Sequence, residues 1–221
     1  KQYECHVFTF AGFGGVPSIE DSWLPKIKEE VILYTRRLHL KDAVIIGHSL
    51  GGAMGLWLAS TEPTLFKKLI VVDALPSTGA LMIPNFKAEN LQYNNPYSMQ
   101  LLQMDSTKFR AQLKQQVSYM VLNKEKVEEL VNTMAMSDRK TYVNGYTDLL
   151  KLDLREEIAR ISVPVIVLAA TFPNKDAIEK NYNTQYEKLA NKKIYFADNS
   201  AHFIMFDQPD WLLTKLKENI Q

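Results

Sequence analysis

Residues 43–52, Ala-Val-Ile-Ile-Gly-His-Ser-Leu-Gly-Gly, restrict the fold of this chain more than any other stretch. Ala43 to Ile46 is a short apolar run between Asp42 and Gly47, the pattern of a buried strand. Leu50 to Ser60 is rich in Gly, Ala, Met and Leu and reads as a tightly packed helix. Between them stands Gly47-His48-Ser49-Leu50-Gly51, a G-x-S-x-G match set in strand–turn–helix surroundings. A serine at the tip of so sharp a turn takes a strained backbone conformation, and its neighbours must be small. Gly47 and Gly51 answer that need on either side, and Gly52 lets the helix approach closely. Ser49 then sits at a helix N-terminus, where the amide of Leu50 is placed to donate to a developing oxyanion. Ser49 is the candidate nucleophile.

The rest of the chain supplies a frame for that turn. His6 to Phe10 is β-branched and aromatic and is broken by Gly12, Gly14 and Gly15, which predicts a buried strand and a tight loop. Cys5, beside it, is expected to pack with the strand. Ser18 to Leu40 carries Trp23, Ile27, Val31, Tyr34 and Leu38 at helical spacing, with Glu20 and Asp21 near its start and Arg36 and Arg37 near its end. Further buried strands are expected at Leu69 to Val72, Val163 to Ala170 and Lys193 to Phe196. Helical stretches fall around Ala177 to Ala190 and Asp210 to Ile220. Continuous apolar strands alternating with helices predict an α/β fold, a mostly parallel sheet covered on both faces. Between Ser77 and Ile161 the alternation stops. Helical stretches at Ser98 to Val121, Lys124 to Met136 and Thr141 to Leu150 take its place, and six of the eight methionines lie there. The expected organisation is a core of residues 1–75 and 161–221, interrupted by a helical cap at 76–160. An insertion of about 80 residues between strands is usually functional.

A serine needs a base. Of the four histidines, His6 lies in the first expected strand, His39 at a helix end, and His48 on a turn that points it away from the Ser49 hydroxyl. His202 follows the last strand, in Asn199-Ser200-Ala201-His202-Phe203, and precedes Phe206-Asp207-Gln208-Pro209 and a final helix. A loop at the C-terminal end of the last parallel strand opens on the same sheet edge as Ser49, so His202 is the candidate base.

Gly-His-Ser-Leu-Gly-Gly at 47–52, the Val163–Leu168 strand and the late Ala-His-Phe…Asp-Gln-Pro segment together resemble the α/β-hydrolase superfamily, in its capped lineage of esterases, lipases and carbon–carbon hydrolases. The similarity runs from residue 4 to residue 220. It implies the chain order serine, acid, histidine. It also implies an acid after the strand that follows the cap, where Asp176 is the sole carboxylate of the loop, 26 residues before His202. That loop lacks the glycine usual before the acid. Asp73, ending the Leu69–Val72 strand, is the rival, because some relatives take the acid from that position. The resemblance further places the second oxyanion donor in a loop ahead of any seen here. Ala11-Gly12-Phe13-Gly14-Gly15 is one helix away from the serine strand and matches a later glycine turn, with Gly12 and Phe13 as lesser candidates. The expectation is therefore that the family's first two or three strands lie outside this sequence, which starts at Lys1.

Composition removes other classes. Lys and Arg number 26 against 25 Asp and Glu, so no basic field exists to neutralise phosphates and nucleic acid is not an expected partner. No apolar run approaches the ~20 residues of a membrane span. A single cysteine excludes an intramolecular disulfide and a cysteine-based metal site. The expected activity is acyl transfer from a small or medium carboxylic ester to water, without metal or organic cofactor. Alternatives are a carbon–carbon, thioester or amide bond cleaved by the same triad, and a ligand-binding module that turns over poorly; rapid turnover of an activated ester separates the last from the rest. Compartment and oligomeric state are not encoded in these patterns.

Overall fold

Four of the apolar runs pair side by side in chain order. In the computed structural model, which describes residues 3–20 and 22–221, strands β1 (Val44–His48), β2 (Lys68–Val72), β3 (Val165–Ala170) and β4 (Lys192–Ala197) form one parallel sheet of order β1-β2-β3-β4. His48 lies opposite Val72, Val72 opposite Leu168, and Ala170 opposite Ala197, so all four strands end at the same level. The loops after them share one edge of the sheet.

Alternate strand residues face opposite ways, and each face has its own cover. Leu69, Val71, Val165, Val167 and Ala169 pack with Leu56 and Ala59 of α2 (Leu50–Thr61) and with Tyr182 and Tyr186 of α8 (Lys175–Gln185) and its C-cap. Helix α1 (Trp23–Arg37) joins the same side through Met54 and Leu58. Ile70, Val72, Ile166, Leu168 and Ala170 meet Ile204 of the short α9 (Ile204–Asp207) and Leu212 of α10 (Pro209–Asn219) on the other face.

Between β2 and β3 the described chain is helical: α3 (Thr78–Met82), α4 (Pro96–Gln103), α5 (Ser106–Met120), α6 (Val127–Ala135) and α7 (Arg139–Lys151). Phe109, Leu113, Val117 and Val121 pack with Val127 and Val131 as a separate cluster. That cluster also takes in Phe203 and Phe206, from the segment that carries His202. A second tie is polar. Asp148 of α7 accepts the Leu24 N–H at 3.0 Å and the Tyr93 hydroxyl at 2.5 Å. It thereby satisfies a first-turn amide of α1, whose Ser22 makes no side-chain cap.

Some expectations change. Residues 6–10 form no strand; Val7 is 90% and Phe8 43% exposed. A strand is stabilised by its ladder, and no described backbone pairs with this segment, so its rings lie instead against Tyr34 and Trp23 of α1. Cys5 is exposed rather than packed. The stretch from Ser98 to Val121 is two helices, because Asp105 caps the second by accepting the Lys108 N–H at 2.9 Å. Glu20 precedes the first turn of α1, and Asp21 lies outside the described residues.

Candidate active site

Ser49 stands between β1 and α2 with φ +54° and ψ −121°. A non-glycine residue held there costs on the order of 1–3 kcal/mol. Its N–H extends the sheet ladder to the Val72 carbonyl at 2.9 Å, and its C=O accepts from Gly52 and Ala53. Its hydroxyl makes no capping bond, so the helix leaves that oxygen uncommitted. Gly47 is sterically required: a Cβ there would lie 2.2 Å from the Gly51 carbonyl oxygen. Gly52 is close to Ala74, 2.7 Å from a Cβ built on it. The expectation for Gly51 fails, because a Cβ built there meets nothing within 4 Å; only its backbone is crowded.

The acid facing His202 is Asp73. Its Oδ2 lies 2.7 Å from His202 Nδ1. Its Oδ1 accepts the Ala170 N–H at 2.8 Å and the Tyr182 hydroxyl at 2.9 Å. Asp73 has φ +44°, a second strained non-glycine turn residue at the same sheet edge. Burial pushes the carboxyl's pKa up, but the hydrogen bond and charge of His202, with the Ala170 and Tyr182 donors, outweigh it and hold the group below its usual value. An ionised carboxylate at Nδ1 places the ring proton there and leaves His202 Nε2 as a proton acceptor.

The carboxylate at His202 Nδ1 is that of Asp73 rather than the expected Asp176, which has no hydrogen bond to this cluster. The start of the β3–α8 loop runs along the His202 loop: Thr171 and Phe172 donate to the Ser200 carbonyl, and the Thr171 hydroxyl donates to that of Ala197. Helix α8 then starts at Lys175, which leaves Asp176 exposed in its first turn. There its charge suits the helix dipole rather than a histidine.

His48, expected only to pack, joins the serine turn to the His202 loop. Its Nε2 lies 2.9 Å from the His202 carbonyl oxygen, and the two rings are 4.6 Å apart. A carbonyl only accepts, so Nε2 carries the proton. Burial, then the neighbouring His202, pushes the His48 pKa down to about 4, which keeps the ring neutral at ordinary pH. The residue before Ser49 thus holds the backbone of His202 against the serine turn. Asp207 secures the same loop from the other side. It accepts the Ala201 N–H at 2.8 Å, together with the Leu122 and Asn123 N–H groups at 2.9 Å from the α5–α6 turn. The Phe203 N–H completes the seam on the Met120 carbonyl at 3.0 Å.

As the first amide of α2, Leu50 N–H has no acceptor within the helix and sits beside Ser49. Gly12 and Phe13 are not matching donors. Gly12 N–H is spent on the Val16 and Pro17 carbonyls, and Phe13 N–H on that of Phe10. The aromatic and methionine residues of the helical segment scatter: Phe109 is core, whereas Tyr97, Met99 and Tyr119 are exposed. Among the described residues no group of His, Cys, Asp and Glu is arranged to hold a metal, and no helix is long and apolar enough to cross a membrane.

Comparison with known proteins agrees with this fold. The chain is 22% identical over 210 residues to 3-oxoadipate enol-lactonase 1 of Acinetobacter baylyi, covering 95% of this chain and 76% of that protein. An esterase from Exiguobacterium antarcticum superposes with a TM-score of 0.76 at 14% identity, over 96% of this chain and 79% of the esterase. The enol-lactonase from Burkholderia xenovorans LB400 gives 0.73 at 15% identity, over 95% and 77%. The model of the alpha/beta hydrolase family matches residues 1–214. With its parallel sheet and its serine turn, this chain belongs to the alpha/beta hydrolase family and is a hydrolase.

Proposed function

We propose that the protein is a serine hydrolase that cleaves small or medium carboxylic esters through an acyl-enzyme on Ser49. The observation that carries this reading is the Asp73–His202 pair, 2.7 Å apart and held by His48 against the strained serine turn. His202 Nε2 takes the Ser49 proton as the hydroxyl oxygen attacks the ester carbonyl. The Leu50 N–H stabilises the resulting oxyanion. His202 then passes the proton to the leaving alcohol, and in the second half it activates water to release the acid. Asp73 keeps the imidazole in the right tautomer and stabilises the imidazolium. The ester class has support from the relatives, since an esterase and enol-lactonases act on open-chain and cyclic forms of the same bond. We read residues 76–160 as a cap whose own core reaches the base through Phe203 and Phe206.

The test is labelling with a fluorophosphonate, mapped by mass spectrometry, alongside turnover of p-nitrophenyl acetate. Adduct on Ser49, with both signals lost in Ser49→Ala of native fold, is the expected result. Turnover that survives Ser49→Ala overturns the mechanism. Turnover confined to amide or thioester analogues keeps the triad and replaces the bond class.

A further inference from the structure

We propose that Tyr182 is a positioning residue for the acid: its hydroxyl fixes Asp73 Oδ1, so that Oδ2 stays on His202 Nδ1. The inference rests on reading Asp73 as the acid of the hydrolase. A carboxylate's terminal torsion is broad and nearly two-fold, so a single donor does not set its plane. Asp73 Oδ1 receives two donors from different elements, the Ala170 N–H of β3 and the Tyr182 hydroxyl of α8, at 2.8 and 2.9 Å. Together they leave Oδ2 to the histidine.

Tyr182 suits this work. Its ring is buried among Leu56, Val71, Val167 and Ala169, where a hydroxyl must find a partner. The ring cannot easily shift, being stacked on Tyr186 at 6.0 Å and edge-on to Phe196 at 6.1 Å. Burial, then the Asp73 charge, raises the phenol pKa well above its ordinary value, so it remains a donor. The groups facing the carboxylate are His202 from the loop after β4, Tyr182 and Tyr186 from the α8 side, and His48 from β1.

Tyr186 provides the control. Its hydroxyl is buried one helical turn away and donates at 2.7 Å to the carbonyl of Ala74, the residue after the acid. Removing it takes away a buried hydrogen bond at the same turn but none of the hydrogen bonds that the carboxylate accepts.

The experiment compares Tyr182→Phe and Tyr186→Phe with the unaltered protein. It measures kcat, KM and the pH profile on p-nitrophenyl acetate, and the downfield proton resonance of His202 Nδ1 by NMR. In Tyr182→Phe we expect kcat to fall about 10- to 150-fold, the loss of one hydrogen bond to a charged group, with KM unchanged. The carboxylate then keeps more of its charge density for the imidazolium, so the acid limb of the profile moves to higher pH. The Nδ1 resonance moves as well. Tyr186→Phe should change neither limb nor resonance. Matching behaviour of the two variants, or a Tyr182→Phe indistinguishable from the unaltered protein, overturns the assignment. Should the unaltered protein neither turn over esters nor take the fluorophosphonate, the serine-esterase reading fails, and the resonance alone still decides for or against Tyr182.

Discussion

Replacing Asp73 by Asn probes the acid with a change of one atom. Asp73 Oδ1 accepts from Ala170 N–H and Tyr182 O–H, while Oδ2 faces His202 Nδ1. Asparagine has one acceptor oxygen and one NH2 group. With its oxygen kept toward the two donors, its NH2 faces Nδ1. That nitrogen must then accept, and the ring proton moves to Nε2, where it blocks the base. Flipped, the NH2 confronts the Ala170 N–H, which sits 2.8 Å from that position. The first arrangement satisfies more donors and is the inactive tautomer. The expected loss in kcat is on the order of 10⁴, the size a wrong tautomer costs in the Ser-His-Asp template, or about 5.5 kcal/mol at the transition state. Asp176→Asn is the companion. Its carboxylate is exposed in the first turn of α8, so the variant forfeits only a dipole term of about 0.3–1 kcal/mol in stability and keeps its kcat. Steady-state turnover of p-nitrophenyl acetate, with circular dichroism to confirm the fold, reads both variants. A large loss in Asp176→Asn beside a near-normal Asp73→Asn would refute the reasoning.

Three more perturbations bear on the scaffold. His48 titrates at about 4 in the fold against 6.5 when free, so the unfolded chain binds its proton first. Its contribution is present above about pH 6.5 and is lost as pH falls toward 4, by at most about 3 kcal/mol. Urea unfolding of His48→Phe should therefore change less between pH 7 and pH 5 than that of the unaltered protein; equal changes would contradict the neutral-ring assignment. Asp207→Ala strips the acceptor from the Leu122, Asn123 and Ala201 amides. It should cost about 2–4 kcal/mol and lower kcat, and an unchanged melting temperature would count against it. Gly47→Ala drives a Cβ to 2.2 Å from the Gly51 carbonyl oxygen and should prevent soluble expression, whereas Gly51→Ala has open space and should fold; similar yields would place the constraint elsewhere.

What the sequence made legible was local. The serine turn announces itself because strand, glycine, serine and helix are contiguous, and the strands from Ala43 to Phe196 because each is a short, largely apolar run, although only β2 and β3 are buried almost throughout and Ile46 of β1 is exposed. His202 could be put at the same sheet edge because it follows the last run within a few residues. The acid was harder, since its identity depends on how far two loops at one sheet edge extend in space. The Thr171 and Phe172 bonds that tie the later loop to Ser200, before α8 begins and carries Asp176 into solvent, leave no trace in spacing. The contacts of His48, Tyr182 and Asp207 were hidden for the same reason, their partners being from 6 to more than 100 residues away. His6 to Phe10 misled in the opposite sense: its composition is that of a strand, but strand structure belongs to a pair, and no described neighbour completes it.

Asp207 also sets terms for recombination. Exchanging the helical segment for that of another chain is an obvious route to a new substrate range. Here the graft has a fixed junction. The incoming segment must end its α5 equivalent with two consecutive amides on Asp207 and a carbonyl for Phe203 N–H, as Leu122, Asn123 and Met120 supply them. A donor that misses this junction by one residue would displace His202 along with the residues meant to be exchanged.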